Sequence, residues 1–359
     1  MAIEEKNIIW LDIFEFLTYS KKDKILKAFD KGEDIRKGFL KNQKIKDILN
    51  EQEIRKMAIC LEDRFLERNL DEYKALGVEC VTIYHEKYPS LLKEISTPPF
   101  CLYCKGNIDL LNTLCVGIVG SRKPTEYGLV VTKQFAKQLV QNNVTIVSGM
   151  AVGVDSIAHK TALEENGNTI AVLGGGFKHI YPAINSSLAR KITENNLLVS
   201  EYNPNIKPEV YYFPARNRII AGLSQGVLVT EAGIKSGSLK TIDFAIEFNR
   251  DVFAVPGRIN SEMSKGTNNL IKNLQGCAVT DADDILKALN ISVEQDKKPE
   301  LQLDINAELI LKFIQTEKKT FQELADLTGI PAKELNTILM ELEMEGIITK
   351  LSGNSYLMS

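Results

Sequence analysis

The chain has 359 residues, 44% hydrophobic and 25% charged, with a formal net charge of −3. That length allows two or three domains whose cores need no disulfide staples, and the mild acidity argues against indiscriminate attraction to nucleic acid. No apolar run approaches the ~20 residues that span a bilayer. Met1 to Asn7 lacks the basic and apolar stretches of a secretion signal, so a cytoplasmic protein with reduced thiols is expected.

Residues 1–75 read as helical. Ile25, Leu26 and Phe29, then Ile45, Ile48 and Leu49, then Phe65, Leu66 and Leu70 recur at three- and four-residue steps. Within this stretch, residues 21–56 hold twelve Lys/Arg against seven Asp/Glu. Such a segment attracts DNA weakly and without specificity, or simply forms solvated helix faces. Residues 80–290 alternate short β-branched runs with amphipathic helices, the pattern of a parallel α/β sheet. Six cysteines show no framework spacing. The one CxxC, Cys101 to Cys104, has no second pair and too few histidines nearby for a zinc site, so no metal is expected.

Four strands of the middle segment end in small residues. Leu114–Val119 runs into Gly120, Ser121 and Arg122. Val144–Val147 runs into Ser148 and Gly149, and Thr169–Leu173 into Gly174, Gly175 and Gly176. Val227–Thr230 runs into Glu231, Ala232 and Gly233, with Ser236, Gly237 and Ser238 behind. In an open α/β sheet these turns gather at the carboxyl ends of the strands, where backbone N–H groups meet anions. Tight turns need glycine anyway, but four in register, with an arginine and serines, favour an anion-binding crevice. Neither a P-loop nor a clean GxGxxG follows the first strand. A second unusual element, Phe213 to Gly222, packs Phe213, Arg216, Asn217 and Arg218 into six residues. Arginine forks match phosphate oxygens, and an aromatic beside them can stack a base. The plainer alternative is that one of the two arginines pairs with an acid across the sheet.

These residues carry a family resemblance. GIVGSRKPTEYG (117–128), SGMAVGVDSIAHKTAL (148–163), TIAVLGGGFKHIYP (169–182), FPARNRIIAGLSQGVLVTEA (213–232), SGSLKT (236–241) and VFAVPG with SKGTNNLIK (252–257, 264–272) resemble, in order, the motifs of the DprA/Smf family of DNA-processing proteins. The resemblance implies an extended Rossmann-like, mostly parallel sheet over residues 80–290. A SAM- or helix-hairpin-helix-like domain would precede it over 1–75, and a linker (291–303) and a winged-helix domain (304–359) would follow. It also implies a non-enzymatic homodimer without cofactor or metal, which binds single-stranded DNA, protects incoming strands and helps load RecA in natural transformation.

By motif, Arg122 would contact phosphate, and Ser121, Gly149, Gly174 and Gly175 would line the pocket. Phe213, Arg216, Asn217 and Arg218 would form its basic and stacking wall, with Ser236, Gly237 and Ser238 as donors. The family often has a basic residue just before the Phe-Pro pair. Here Glu209 and Val210 stand there, and Lys240 is the candidate replacement. Leu270, Ile271 and Leu274 are expected at a two-fold dimer contact, although Asn273 to Ala278 departs from the family's usual Gly-Ala pair.

Other residues have plainer expected roles. Asp155 is expected to cap the helix 155–165, His159 to pack or cap, and Glu231 to orient Arg122 or Arg218. Tyr181 either stacks or forms a structural Tyr-Pro turn. Residues 304–359 read as a helix-turn-helix with a two-stranded wing. The third helix carries Glu334, Glu341, Glu343 and Glu345 against Lys333, so protein contact is favoured over groove reading. The competing function is a nucleotide-processing enzyme of the phosphoribohydrolase type, but its PGGxGT loop is missing before Glu231.

Overall fold

In the computed structural model, which describes residues 2–291, 304–314, 318–344, 347–351 and 354–358, the helical periodicity of the first 75 residues resolves into six short helices. They are α1 (Ile3–Asp12), α2 (Tyr19–Lys27), α3 (Ile35–Gly38), α4 (Lys44–Ile48), α5 (Glu51–Ala58) and α6 (Asp63–Ala75). Side-chain caps start several of them: Thr18 accepts from the Lys21 amide, and Asn50 and Glu53 form a capping box. Their apolar faces close over Trp10. Its ring meets Phe14 and Phe39 edge-on at 5.2 and 5.5 Å, and its Nε1 donates to the Cys60 carbonyl at 2.8 Å.

The same core continues into Cys80, Cys101 and Tyr103 on the first two strands. Residues Met1–Val293 accordingly form one compact unit. Half of the twelve cations in 21–56 are engaged in ion pairs, among them Lys21–Glu53, Lys22–Asp12 and Arg36 with Asp34 and Asp63.

Nine strands follow: β1 (Glu79–Thr82), β2 (Cys101–Gly106), β3 (Cys115–Val119), β4 (Thr145–Ser148), β5 (Thr169–Leu173), β6 (Leu197–Ser200), β7 (Gly226–Val229), β8 (Asp251–Ala254) and β9 (Cys277–Ala278). They pair in the order β1-β2-β6-β5-β4-β3-β7-β8-β9. β1–β2 and β2–β6 are antiparallel, and every later pairing is parallel. On β2, Cys101 faces the helical core and Cys104 the opposite core, so the CxxC thiols point away from each other.

The connecting helices are α7 (Ser90–Lys93), α8 (Glu126–Gln141), α9 (Val154–Glu164), α10 (Ser186–Asn195), α11 (Tyr212–Leu223), α12 (Leu239–Glu247), α13 (Lys265–Lys272) and α14 (Ala282–Ala288). α8, α9 and α14 cover one face of the sheet, while α11, α12 and α13 cover the other. Chain order reverses between β3 and β7. From β3 the chain steps outward through β4, β5 and β6, and α11 then carries it back across the sheet to β7. That reversal opens a crevice at the carboxyl ends of the central strands.

Two expectations need correction. α9 starts at Val154 after Gly153, whose φ of 82° suits a residue without a Cβ, so Asp155 does not cap it. The Asp155 carboxylate instead turns back to accept from the amides of Gly149 and Ala151, at 3.2 and 3.3 Å. At the expected dimer contact, Leu270 is buried in the sheet's own core and Ile271 packs half-buried against it. Only Leu274, 93% exposed, faces water. The wing forms as the expected two strands, and a two-residue strand ahead of the second helix of that domain joins the same sheet.

The second unit, Glu294–Ser359, holds α15 (Ile305–Ile314), α16 (Phe321–Thr328) and α17 (Ala332–Met344). Its sheet is formed by β10 (Lys319–Thr320), β11 (Ile348–Leu351) and β12 (Ser355–Met358) in the order β10-β12-β11. β10 was not anticipated because two residues carry no readable alternation. Gly329, in the left-handed region at φ 67°, ends α16. α17 buries Leu335, Ile338, Leu339 and Leu342 and exposes Glu334, Glu341 and Glu343 with Lys333. Glu345 and most of the expected linker (291–303) lie outside the described residues.

Two outcomes follow for stability. Trp10→Ala should cost about 3–5 kcal/mol. Because its core is continuous with β1 and β2, denaturant titration should show the whole first unit unfolding earlier, not a separate helical transition. His159 is buried in α9, its Nδ1 2.7 Å from Thr169 Oγ1 on β5. Burial, with the nearby Arg216 charge, pulls its pKa down to about 3. The unfolded chain takes up this proton near pH 6.5 and the folded one does not. Stability from this residue is therefore full above that pH and declines by roughly 1–2 kcal/mol per unit as pH falls toward 3. Unfolding titrations between pH 7 and 4.5 should show a shallower pH slope in His159→Gln than in the parent.

Candidate functional site

At the crevice a cleft of about 540 Å³ is lined by residues from five turns. Gly120 and Arg122 come from the end of β3, Ala151 and Asp155 from the β4 turn, and Tyr181 from the β5 loop. Phe213, Pro214, Arg216 and Asn217 come from the start of α11, and Ser236, Gly237, Ser238 and Lys240 from the start of α12. Of the thirteen residues expected at the site, the cleft wall thus brings together Arg122, Phe213, Arg216, Asn217, Ser236, Gly237, Ser238 and Lys240.

Arg216 is the buried member. Its Nη1 donates to the carbonyls of Gly149, at 2.6 Å, and Val172, and its Nε donates to Asn217 Oδ1 at 3.2 Å. Burial lowers its pKa to about 10, while the Asp155 charge holds it up and Arg122 adds to the lowering. It therefore stays protonated at neutral pH. Asp155 in turn is pushed up by burial and drawn back by Arg216 and its two amide donors. This arrangement differs from the expected pair of free arginine forks, because Arg216 uses its donors to hold the strand ends together.

Arg122 is exposed at the mouth and has no ion-pair partner among the described residues. Ser236 and Ser238 hydroxyls lie 2.8 Å apart, and an added Cβ at Gly237 would meet only open space. Lys240 lines the cleft but pairs with Asp243 at 3.1 Å. Phe213 packs against Tyr181 with ring centroids 5.2 Å apart.

The remaining expected residues act behind the wall. Ser121 is buried, its Oγ accepting from the Lys123 amide at 3.0 Å. Gly149 sits against the Arg216 guanidinium, and Gly175 against Pro208. Gly174 lies under Phe213: a Cβ there would stand 2.7 Å from the ring, so the absent side chain is what lets the ring settle on the end of β5. Arg218 leaves the site altogether. It pairs with Glu201 at 2.5 Å in a separate cavity lined by Tyr19, Tyr202 and Tyr212. Glu231 orients neither arginine; its two carboxylate oxygens accept from the amide and hydroxyl of Thr125, at 2.8 and 2.7 Å, at the start of α8. It borders a larger cavity of about 880 Å³ with Tyr127, Arg258 and Ser264. That cavity has one glycine (Gly257), one ring (Tyr127) and one arginine (Arg258), against two of each in the smaller cleft, which is therefore the candidate. Tyr181 is the contributor whose role sequence left open; its position after the triple-glycine turn was the available signal.

The family model described as DNA recombination-mediator protein A matches residues 79–290, and that of the DprA winged helix domain matches 294–354. The DNA processing protein DprA of Bacillus subtilis is 42% identical over 226 residues, 62% of this chain and 75% of its own length. That of Streptococcus pneumoniae is 39% identical over 269 residues, 73% of this chain and 91% of its own. The solved structure of the S. pneumoniae protein superposes with a TM-score of 0.67 at 35% identity, covering 80% of this chain and 98% of that one. The structure of DNA processing protein A from Helicobacter pylori, reported for its single-stranded DNA binding mode, gives 0.54 at 34% identity, covering 59% and 95%. With more than half of its length matched by the family model, and a fold shared with these structures, the chain belongs to the DNA recombination-mediator protein A (DprA) family.

Proposed function

We propose that the cleft at the carboxyl ends of β3, β4, β5 and β7 binds single-stranded DNA. The observation that carries this reading is an exposed Arg122, without an ion-pair partner among the described residues, in one cleft with the Phe213 ring, while the buried Arg216 is balanced by Asp155. Phosphate is attracted by the cation and a base by the ring. The relatives' names, and the binding mode reported for the H. pylori protein, support it. In this reading the protein protects incoming strands and helps load RecA recombinase during transformation or recombination, acts in the cytoplasm as a homodimer, and catalyses no reaction. The phosphoribohydrolase alternative would use Glu231 as a base. Against it, that carboxylate is buried and already accepts from Thr125 through both oxygens. The acidic exposed face of α17 fits a protein partner better than phosphate.

Binding isotherms at several salt concentrations test the cleft. Arg122→Ala should weaken binding to an oligothymidylate and flatten the log–log salt slope by about 0.7, one phosphate contact on a single strand. Phe213→Ala should lower affinity by about 1–3 kcal/mol with the slope unchanged. A folded Arg122→Ala variant that matches the parent at every salt concentration would place the strand elsewhere.

The homodimer has its own check. Leu274 alone of the three expected contact residues is free to meet a partner. Leu274→Glu should shift the light-scattering mass from dimer to monomer without lowering the melting temperature, whereas Ile271→Glu should destabilise the fold. A parent protein that is monomeric at micromolar concentration would refute the assembly.

A further inference from the structure

The mouth of the cleft exposes more apolar surface than a loop in water requires. Tyr181 is 56% exposed and Val210, on the facing loop, 84%; both line the cleft. Ile184 and Tyr211, their neighbours in the chain, are 79% and 66% exposed. Clustered exposed apolar groups beside polar ones mark binding surfaces. Tyr181 leans on Phe213 at 40° between ring planes, which leaves more than half of the tyrosine open to water.

Its position is fixed from behind. Asn185 donates its Nδ2 to the carbonyls of Met150, at 2.8 Å, and Ala151, at 3.3 Å, and its backbone N–H to Pro182 at 3.0 Å. These bonds tie the turn after Tyr181 to the residues following β4. Phe213 is fixed in its turn by the space that Gly174 leaves. Two rings held by backbone, with one surface left bare, make a rigid stacking platform rather than a mobile rim.

We propose that Tyr181 is a second base-stacking residue, which with Phe213 forms a rim subsite for an unpaired nucleobase next to the phosphate held by Arg122. This rests on the reading of the cleft as a single-strand site and adds where its selectivity lies. Arg122 attracts the backbone of single and double strands alike. In a duplex each base is already stacked on both faces, so only an unpaired base can lie on Tyr181. The ring pair, not the cation, then separates single strands from duplex.

The test measures anisotropy of a labelled oligothymidylate, the same strand with abasic sites, and a duplex of equal length. It uses the parent, Tyr181→Ala, Tyr181→Phe, Tyr181→Leu and Arg122→Ala. Tyr181→Ala should weaken oligothymidylate binding between about fivefold and a hundredfold, with the salt slope unchanged. Tyr181→Phe should keep the parent's affinity. The abasic strand should bind Tyr181→Ala and parent alike, and the single-strand to duplex ratio should fall with the ring. If Tyr181→Ala unfolds, Tyr181→Leu, which keeps apolar packing on Phe213 without an aromatic face, decides by the same comparison. Parent-like oligothymidylate binding by the ring-less variant, or an equal loss on the abasic strand, overturns the subsite. If either result comes with weakened binding by Arg122→Ala, the cleft assignment survives; if Arg122→Ala also binds like the parent, the cleft assignment falls with it.

Discussion

The buried guanidinium of Arg216 is the interaction on which the cleft depends. Placing a permanent cation inside an apolar sheet costs several kcal/mol in lost hydration. The cost is offset because Nη1 donates to the carbonyls of Gly149, just past β4, and Val172, near the end of β5. Asp155 adds the opposite charge while tying down the amides of Gly149 and Ala151. One side chain from α11 thus clamps the mouths of two parallel strands. The clamp fixes the first two turns of α11 over the sheet, and they carry Phe213 and Asn217 to the cleft. Lysine in its place would offer one point charge with no planar fork to span two carbonyls.

Backbone packing around the clamp follows the same logic. Gly149 has no side chain because the guanidinium stands against its Cα, and Gly174 has none because the Phe213 ring lies there. The glycines that a sequence reading assigns to phosphate contact therefore serve first to let side chains from α11 reach the strand ends. Exposed backbone for an anion remains at Gly237, where space is open, and at the arginine-bearing end of β3.

The sheet was legible because its strands are short apolar runs closed by glycine, and the four crevice turns fall where that punctuation stands. Arg122, Phe213 and the Ser236–Ser238 turn were legible for the same reason: each follows a strand end or opens a helix. The differing fates of Arg216 and Arg218 were not. Two positions apart on one helix they point in different directions, about 200° around the axis. Whether a given arginine finds carbonyls, a carboxylate or water depends on strands remote in sequence, Glu201 for one and Val172 for the other. Glu231 misled for a related reason. A carboxylate at a strand end suits an arginine, but the start of α8 came closer, and its amide and hydroxyl donors satisfy the charge. Leu270 and Ile271 show the same limit: an apolar pair on a helix reads alike whether it meets its own sheet or a second chain.

An acidic protein that is to attract a polyanion needs its positive charge concentrated and partly shielded from the rest of its surface. Arg216, buried in the wall of the cleft, is balanced by the fixed Asp155 carboxylate, and Lys240 on the rim shares its charge with Asp243. Arg122 stands apart from both, exposed and without an ion-pair partner among the described residues. Salt screens exposed charges over about 8–10 Å but screens buried ones much less. The attraction of the cleft for a phosphate therefore rests on the exposed Arg122 and weakens with salt, while Arg216 with Asp155 holds the framework. In the proposed function Arg216 would hold the strand ends, Arg122 would meet phosphate and the aromatic rim would discriminate. These three roles fall to different residues because one guanidinium cannot both hold the strand ends together and turn to meet a ligand.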